Sequence, residues 1–268
     1  MPSFKIAALG AAAALAGAAS SAHAAAIDFS TLQLNGFATA TATALRLTDG
    51  ANLADQNDPD SNIGEASSAF IATAFSTNST FTTSFNVTMT NTGFSPLADG
   101  ITFLIQNDPA GAAAVGGGGG GVGANGLANN IGVGLQSWDN NRVSIFTDGA
   151  IDGGPIHNFN LGDQDDQLDV TIAYDGANLS YSVFNHATGL SISDSQAFDL
   201  SSLGPTAYFG FTGGTGLSYS IQDVTNWDLT VNARTGAVPE PATWAMMLAG
   251  FGGLGALLRR RRATLVGA

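Results

Sequence analysis

Between positions 96 and 141 the sequence carries four kinds of group that together suit a polyhydroxylated ligand such as a sugar. Asp99 stands before a strand-like run, and its carboxylate can accept hydrogen bonds from two neighbouring hydroxyls. The glycine run from Gly116 to Gly121 lets backbone N–H groups approach a ligand closely. Trp138 can cover the apolar face of a sugar ring, and the amide of Asn140 can donate to a hydroxyl.

Each of these groups also has a simpler structural explanation. Asp99 could cap a turn, and a glycine run alone is typical of a flexible linker. Trp138 could belong to the core, although its polar neighbours, Asp139 to Asn141, favour a loop. Their order within one short stretch favours a binding site.

The elements that must position these groups are predicted to be β-strands. Residues 81–89 and 179–184 alternate apolar or β-branched residues with small polar ones, which is typical of half-buried strands. Residues 174–178 and 185–189 have the composition of hairpin turns. Residues 51–64 are polar and acid-rich and predict a surface loop, and Glu65 is expected to belong to it. Short strands at regular spacing predict an all-β sandwich of two packed sheets.

Several ordered motifs resemble the L-type (legume-type) lectin family over roughly residues 27–231. These are LNGFATATATALRLTDG at 34–50, the Ala-Asp-Gly at 98–100 with the glycine run, residues 168–181, FGFTGGTG at 209–216 and the segment through Trp227. The resemblance implies a jelly-roll β-sandwich of the concanavalin A-like type and a carbohydrate-binding function.

The resemblance also implies a role for particular residues. The counterpart of Asp99 contacts sugar hydroxyls and usually follows a cis peptide bond, and backbone N–H groups near Gly119 and Gly120 complete the contact. The counterpart of Trp138 stacks on the sugar, while that of Asn140 binds both a hydroxyl and calcium. A further loop, represented by Gly214 and Thr215, is expected at the rim of the site.

The sequence departs from the family at the metal ligands. The glutamate and aspartate that bind manganese and calcium in the family correspond to Gly134 and Gln136. A downstream aspartate-proline and histidine are also missing from the shortened loop before Arg142. Because such cations need several oxygen or histidine ligands, manganese is not expected. Weak calcium binding through Asp139 and Asn140, with Asp148 or Asp152 helping, stays open.

Enzyme activity is not predicted. The chain has no cysteine, Glu65 is the only glutamate between the two ends of the chain, and His157 and His186 read as solvated loop residues. No Gly-x-Ser-x-Gly or Gly-Lys-Ser/Thr motif occurs. A jelly-roll glycan hydrolase, which needs two carboxylates across a cleft, is a remote alternative.

The N-terminal segment of the chain has the features of an export signal. Residues 1–24 combine Lys5, an alanine-rich apolar run and Ala22-His23-Ala24, which predicts a secretory signal peptide for the Sec machinery. A transmembrane anchor is the disfavoured alternative, because the run is short and ends in small residues.

Residues 235–268 contain Pro239-Glu240-Pro241, an apolar segment at 244–258 and an arginine cluster at 259–262. This order resembles the PEP-CTERM sorting signal of Gram-negative bacteria, which an exosortase processes at the inner membrane. It implies a short transmembrane helix, transient anchoring and delivery to the cell surface or exopolysaccharide matrix. A permanent tail anchor is the alternative.

The predicted domain at 25–234 is strongly acidic, because Arg46, Arg142 and Arg234 are its only basic residues while the whole chain already has a net charge of −13. Such a surface repels nucleic acid and anionic lipid. The sequence therefore predicts an exported glycan-binding protein, with exopolysaccharide or surface glycan as its partner. A structural matrix protein that keeps the fold without sugar binding is the alternative.

Overall fold

The computed structural model describes residues 25–50, 64–91, 97–138, 141–162 and 165–234, together with Phe251. In these ranges the chain forms two antiparallel sheets, as the strand periodicity predicts. The strands are β1 (Ala25–Ala26), β2 (Leu32–Gly36), β3 (Thr39–Ala40), β4 (Ala44–Asp49), β5 (Ala66–Ile71), β6 (Phe75–Ser76), β7 (Ser79–Asn91), β8 (Gly100–Gln106), β9 (Asn130–Gln136), β10 (Arg142–Thr147), β11 (Ile156–Asn158), β12 (Gln167–Tyr174), β13 (Asn178–Asn185), β14 (Leu190–Ala197), β15 (Thr206–Gly214) and β16 (Ser220–Ala233). The 3-10 helices are η1 (Phe29–Thr31), η2 (Gly111–Ala113), η3 (Gly119–Gly121) and η4 (Leu200–Leu203).

Sheet 1 has the order β14-β13-β12-β7-β16-β4-β3, with β1 also paired to β16. Sheet 2 has the order β11-β10-β9-β8-β15-β5-β2, with β6 also paired to β15. Strands far apart in the chain are neighbours, so the jelly-roll architecture expected from the resemblance is confirmed. Strands β7 and β12 bury every second residue, because one face of sheet 1 packs on the core and the other faces solvent.

The central strands of sheet 2 are buried on both faces. Every residue of β8 and β9 is buried, because the segment from 107 to 129 folds back over the outer face of the sheet. A second, smaller apolar cluster lies under it and includes Leu104, Val122 and Phe146. The glycine run belongs to this cover and is not a linker: a Cβ on Gly118 would lie 2.7 Å from the carbonyl oxygen of Glu65.

Within the described ranges, no helix is long and apolar enough to cross a bilayer. The predicted signal peptide, and the predicted short span at 244–258 apart from Phe251, lie outside these ranges. The polar loop predicted at 51–64 is likewise outside them except for Gly64.

Candidate functional site

The predicted binding residues meet at one end of sheet 2 because of its strand register. Gly100, the first residue of β8, pairs with Gln136 at the end of β9 and with Gly214 at the end of β15. Antiparallel pairing therefore places the residues just outside these three strands side by side. Asp99, Trp138 and the turn after Thr215 are brought to the same edge in this way.

The backbone of Asp99 is held by both neighbouring strands. Its peptide bond to Ala98 is cis, as the resemblance implies. The Asp99 N–H donates to the carbonyl oxygen of Gly214 at 2.9 Å. The Asp99 carbonyl oxygen accepts from the N–H groups of Ser137 at 3.0 Å and Trp138 at 3.3 Å. The backbones of Asp99 and Trp138 are thus fixed relative to each other.

One carboxylate oxygen of Asp99 is buried without a partner among the described residues. The residue is only 6 % exposed, and its Oδ2 atom accepts no hydrogen bond from the described residues. Burial raises the pKa of the Asp99 carboxyl to about 6. Buried polar atoms are almost always satisfied, so a carboxylate oxygen without a donor among the described residues is a candidate acceptor for a ligand at this end of sheet 2.

The glycine loop offers one backbone donor where the sequence predicted two. The Gly119 N–H already donates to the carbonyl oxygen of Thr215 at 2.8 Å. The Gly120 N–H has no partner among the described residues, and a Cβ on Gly120 would meet nothing within 4 Å. A Cβ on Gly216 would lie 3.2 Å from Asp99 Oδ2 and 3.5 Å from Gly119 Cα, so the three loops converge.

Gly214 and Thr215 lie beneath the site and not at its rim. The Gly214 carbonyl oxygen accepts from Asp99 N–H and also from Gln222 Nε2 at 2.9 Å. Thr215 is buried, and its hydroxyl accepts from the Glu65 N–H at 3.1 Å. Because these polar groups are used internally, the two residues position the site without presenting donors or acceptors to a ligand.

Leu217 is the residue of this turn that faces solvent, and the sequence reasoning missed it. It is 82 % exposed and follows Gly216, whose Cα lies against the glycine loop. The available signal was a large apolar residue in a Gly-Leu-Ser turn directly after a strand, where polar residues are usual.

Glu65 is fully buried, which corrects the prediction that it belongs to a polar surface loop. Its Oε1 accepts from the Asp49 N–H at 3.1 Å, and its Oε2 accepts from the Thr215 hydroxyl at 3.3 Å. Burial raises the pKa of the Glu65 carboxyl. Glu65 therefore anchors the turn that carries Thr215 from below.

Trp138 stands at the open side of the site with 46 % of its surface exposed. It borders a depression of about 620 Å³ that it shares with Gly120, Gly121 and Arg142. The depression thus has an exposed aromatic and a backbone donor on its wall, and the Asp99 carboxylate, which does not line it, lies at the same end of the sheet. Asp139 and Asn140 lie outside the described residues, so their predicted contacts stay predictions.

The side chains at the metal positions do not fit a manganese and calcium pair. Gly134 supplies no ligand, and Gln136 Oε1 already accepts from Arg142 Nε at 2.7 Å. Arg142 also forms an ion pair with Asp152. Across the described ranges, no three Asp, Glu, His or Cys residues are close enough to hold a metal ion together.

The two histidines of the described ranges lie on the exterior and pair with aspartates of sheet 1. His157 Nε2 is 2.9 Å from Asp194 Oδ2, and His186 Nε2 is 2.8 Å from Asp169 Oδ2. His157 lies in strand β11, so the prediction of a loop residue is wrong for it. Its contact joins the edge strands of the two sheets.

Comparisons with known proteins agree with this architecture. A Lotus tetragonolobus seed lectin isoform matches with a TM-score of 0.67 and 20 % identity, over 80 % of this chain and 100 % of that chain. Lectin II from Ulex europaeus matches with a TM-score of 0.66 and 19 % identity, over 78 % and 98 %. A Bauhinia forficata lectin solved with GalNAc matches with a TM-score of 0.65 and 20 % identity, over 80 % and 99 %.

No curated protein sequence matches this chain significantly. Two family models do match. A PEP-CTERM protein-sorting motif covers residues 237–262, as the tail predicts. The legume lectin domain model covers residues 25–244, well over half of the chain. The chain therefore belongs to the legume lectin domain family, a family of carbohydrate-binding proteins, and carries a PEP-CTERM sorting motif behind that domain.

Proposed function

We propose that this protein is an exported lectin that binds a polysaccharide at the cell surface or in the exopolysaccharide matrix around the cell. The observation that carries the proposal is the buried Asp99 Oδ2, which has no partner among the described residues, at the same end of sheet 2 as the exposed Trp138 and the N–H of Gly120. A non-enzymatic binding role agrees with the family, whose members bind carbohydrate.

The proposed contacts use each group according to its chemistry. Two sugar hydroxyls donate to Asp99, and the Gly120 N–H donates to a third oxygen. Trp138 covers the C–H face of the ring, Leu217 borders it, and Asn140 donates from its amide. Galactose and GalNAc are the first sugars to test, because related folds were solved with them. We assign no role to manganese, and to calcium at most a weak contact through Asp139 and Asn140.

The proposed route to the surface follows from the two ends of the chain. Residues 1–24 direct export through the Sec machinery, and residues 25–234 form the exported lectin domain. Residues 235–268 form the sorting signal, in which a short helix at 244–258 and the arginines at 259–262 hold the chain transiently in the inner membrane of a Gram-negative cell. Exosortase then releases it.

A glycan array probed with the exported protein tests the function. We expect binding to a restricted set of glycans, and we expect Trp138→Ala to weaken it about fivefold to a hundredfold, because stacking on an aromatic contributes about 1–3 kcal/mol. The matched control is Phe37→Ala, which removes another half-exposed aromatic. An array without any bound glycan would contradict the proposal.

A structural matrix protein without sugar binding is the second candidate, and the loss of carboxylates at positions 134 and 136 favours it. In that case the exported protein reaches the matrix but binds no glycan on the array.

Processing of the tail is expected to remove the arginine cluster. Pro239 and Pro241 hold the recognition segment out of a helix, so it is accessible next to the membrane span. Mass spectrometry of the surface-released protein should therefore find a C-terminus before Arg259. Recovery of the intact chain through Ala268 in surface material would show that the tail is retained.

A further inference from the structure

The connection that carries Trp138 begins and ends at a side-chain bridge. Strand β9 ends at Gln136 and strand β10 begins at Arg142, and these two residues are Cα partners in the sheet. Arg142 Nε donates to Gln136 Oε1 at 2.7 Å. A charged donor therefore closes the base of the connection, and 14 % of its side chain is exposed.

The same guanidinium reaches a third segment. Its terminal nitrogen forms an ion pair with Asp152, in the turn between β10 and β11. One planar group thus links the end of β9, the start of β10 and this turn, and a guanidinium suits such a role because its donors point in fixed directions. Trp138 and residues 149–153 line the same depression around it.

The family places metal ions at this end of the sheet, bound by carboxylates at the positions of Gly134 and Gln136. Here Gly134 has no side chain to supply a ligand, and a Cβ at this position would make only ordinary contacts, 3.5 Å from the ring of Phe146 and 3.7 Å from Ser144 Oγ. Gln136 is a neutral acceptor that matches a guanidinium donor. The positive charge of Arg142 beside Gln136 also repels a divalent cation there.

We infer that the guanidinium of Arg142 acts as a built-in cation that holds the Trp138 connection and the 148–153 turn in place without a metal. Arg142 is a positioning residue in this role, because it acts on the site through Gln136 and Asp152. Only its effect on sugar affinity rests on the proposed function. Its effect on the order of the two segments does not.

Hydrogen exchange of the exported protein tests this inference without any sugar. We expect Arg142→Gln to speed amide exchange at least tenfold in peptides covering 149–153 and the residues up to Trp138. The matched control is Arg46→Gln, which removes a guanidinium that also bridges two strands, with both contacts to Asp223 at 2.8 Å, on sheet 1. Exchange in the two peptides should be unchanged in that control.

Metal dependence supplies the second readout. We expect the melting temperature and the exchange rates of the wild type to be the same in EDTA, calcium and manganese, and we expect neither metal to restore Arg142→Gln. An EDTA-induced loss of order that manganese or calcium reverses would overturn the inference. Equal amide exchange of Arg142→Gln and Arg46→Gln in the peptides around 149–153 and Trp138 would overturn the inference as well.

Binding to immobilised galactose and GalNAc separates the inference from the proposed function. EDTA-resistant binding that falls at least tenfold in Arg142→Gln, but not in Arg46→Gln, supports both. Faster exchange in Arg142→Gln combined with no wild-type binding to any glycan supports the inference and rejects the function. Binding by Arg142→Gln at wild-type affinity would overturn its positioning effect on the sugar site.

Discussion

Asp99→Asn is expected to weaken glycan binding at least fivefold while raising the stability of the domain. The substitution keeps the shape of the side chain but removes the charge that two sugar hydroxyls donate to. The amide keeps one acceptor oxygen but presents an NH2 donor to the second hydroxyl. Leaving that desolvated hydroxyl without an acceptor costs about 1–3 kcal/mol, which corresponds to roughly a fivefold to 150-fold loss of affinity. Isothermal titration with a glycan identified on the array measures this loss.

The gain in stability follows from the raised pKa. Burial raises the pKa of Asp99 to about 6, from 3.8 for an unburied carboxyl. Between these two values the unfolded chain holds fewer protons than the folded one, so wild-type stability falls as pH rises through this window and stays low above it. The free energy of unfolding of Asp99→Asn should therefore exceed that of the wild type at pH 7 by up to about 3 kcal/mol, with a higher melting temperature. At pH 4 the two proteins should differ little in stability.

The same carboxyl predicts that wild-type affinity falls as pH drops below about 6, because a protonated Asp99 accepts fewer hydrogen bonds. Glu65 lies below the site and also has a raised pKa, so its protonation could change the affinity as well. Asp99→Asn distinguishes the two carboxyls, because the glycan affinity of this variant should not follow the pH profile if Asp99 is responsible. Asp228→Asn is the control for loss of one charge, since Asp228 is half-buried on sheet 1. Wild-type affinity in Asp99→Asn at pH 7 would refute the assignment of the site.

Phe103→Ala is expected to destabilise the domain by about 3–5 kcal/mol, the usual cost of removing a buried phenylalanine ring. Phe103 projects from β8 into the space between the sheets, where its ring centroid lies 5.9 Å from Phe85 of β7 and 5.6 Å from Phe211 of β15. Its ring centroid also lies 6.4 Å from that of Trp227 of β16. The chain has no cysteine, so no disulfide offsets the cavity.

Thermal unfolding measures this effect as a fall of roughly 6–20 °C, since about 2–4 °C corresponds to 1 kcal/mol in a domain of this size. Phe37→Ala removes the same ring from a half-exposed position and should change the melting temperature by no more than about 2 °C. A similar small change in Phe103→Ala would mean that the aromatic cluster does not carry the stability of the sandwich.

Local pattern was sufficient to predict the strands and the class of fold. The alternation in residues 81–89 and 179–184 corresponds to β7 and β13, because a strand with one buried face must place apolar residues at every second position. The order of Asp99, the glycine run and Trp138 led to the prediction of a shared sugar site, which stays a prediction. Register at the end of sheet 2 then brings Asp99 and Trp138 together.

Tertiary structure alone decided which polar groups of that site are available. The Gly119 N–H, the Gly214 carbonyl and the Thr215 hydroxyl are used by partners from distant parts of the chain. Glu65 is buried for the same reason, and Leu217 is exposed because its turn projects beyond β15. Sequence periodicity reports which face of a strand is buried. It carries no information about which hydrogen-bonding groups three converging loops use on one another, because that depends on distances between segments that only the packed sheets bring together.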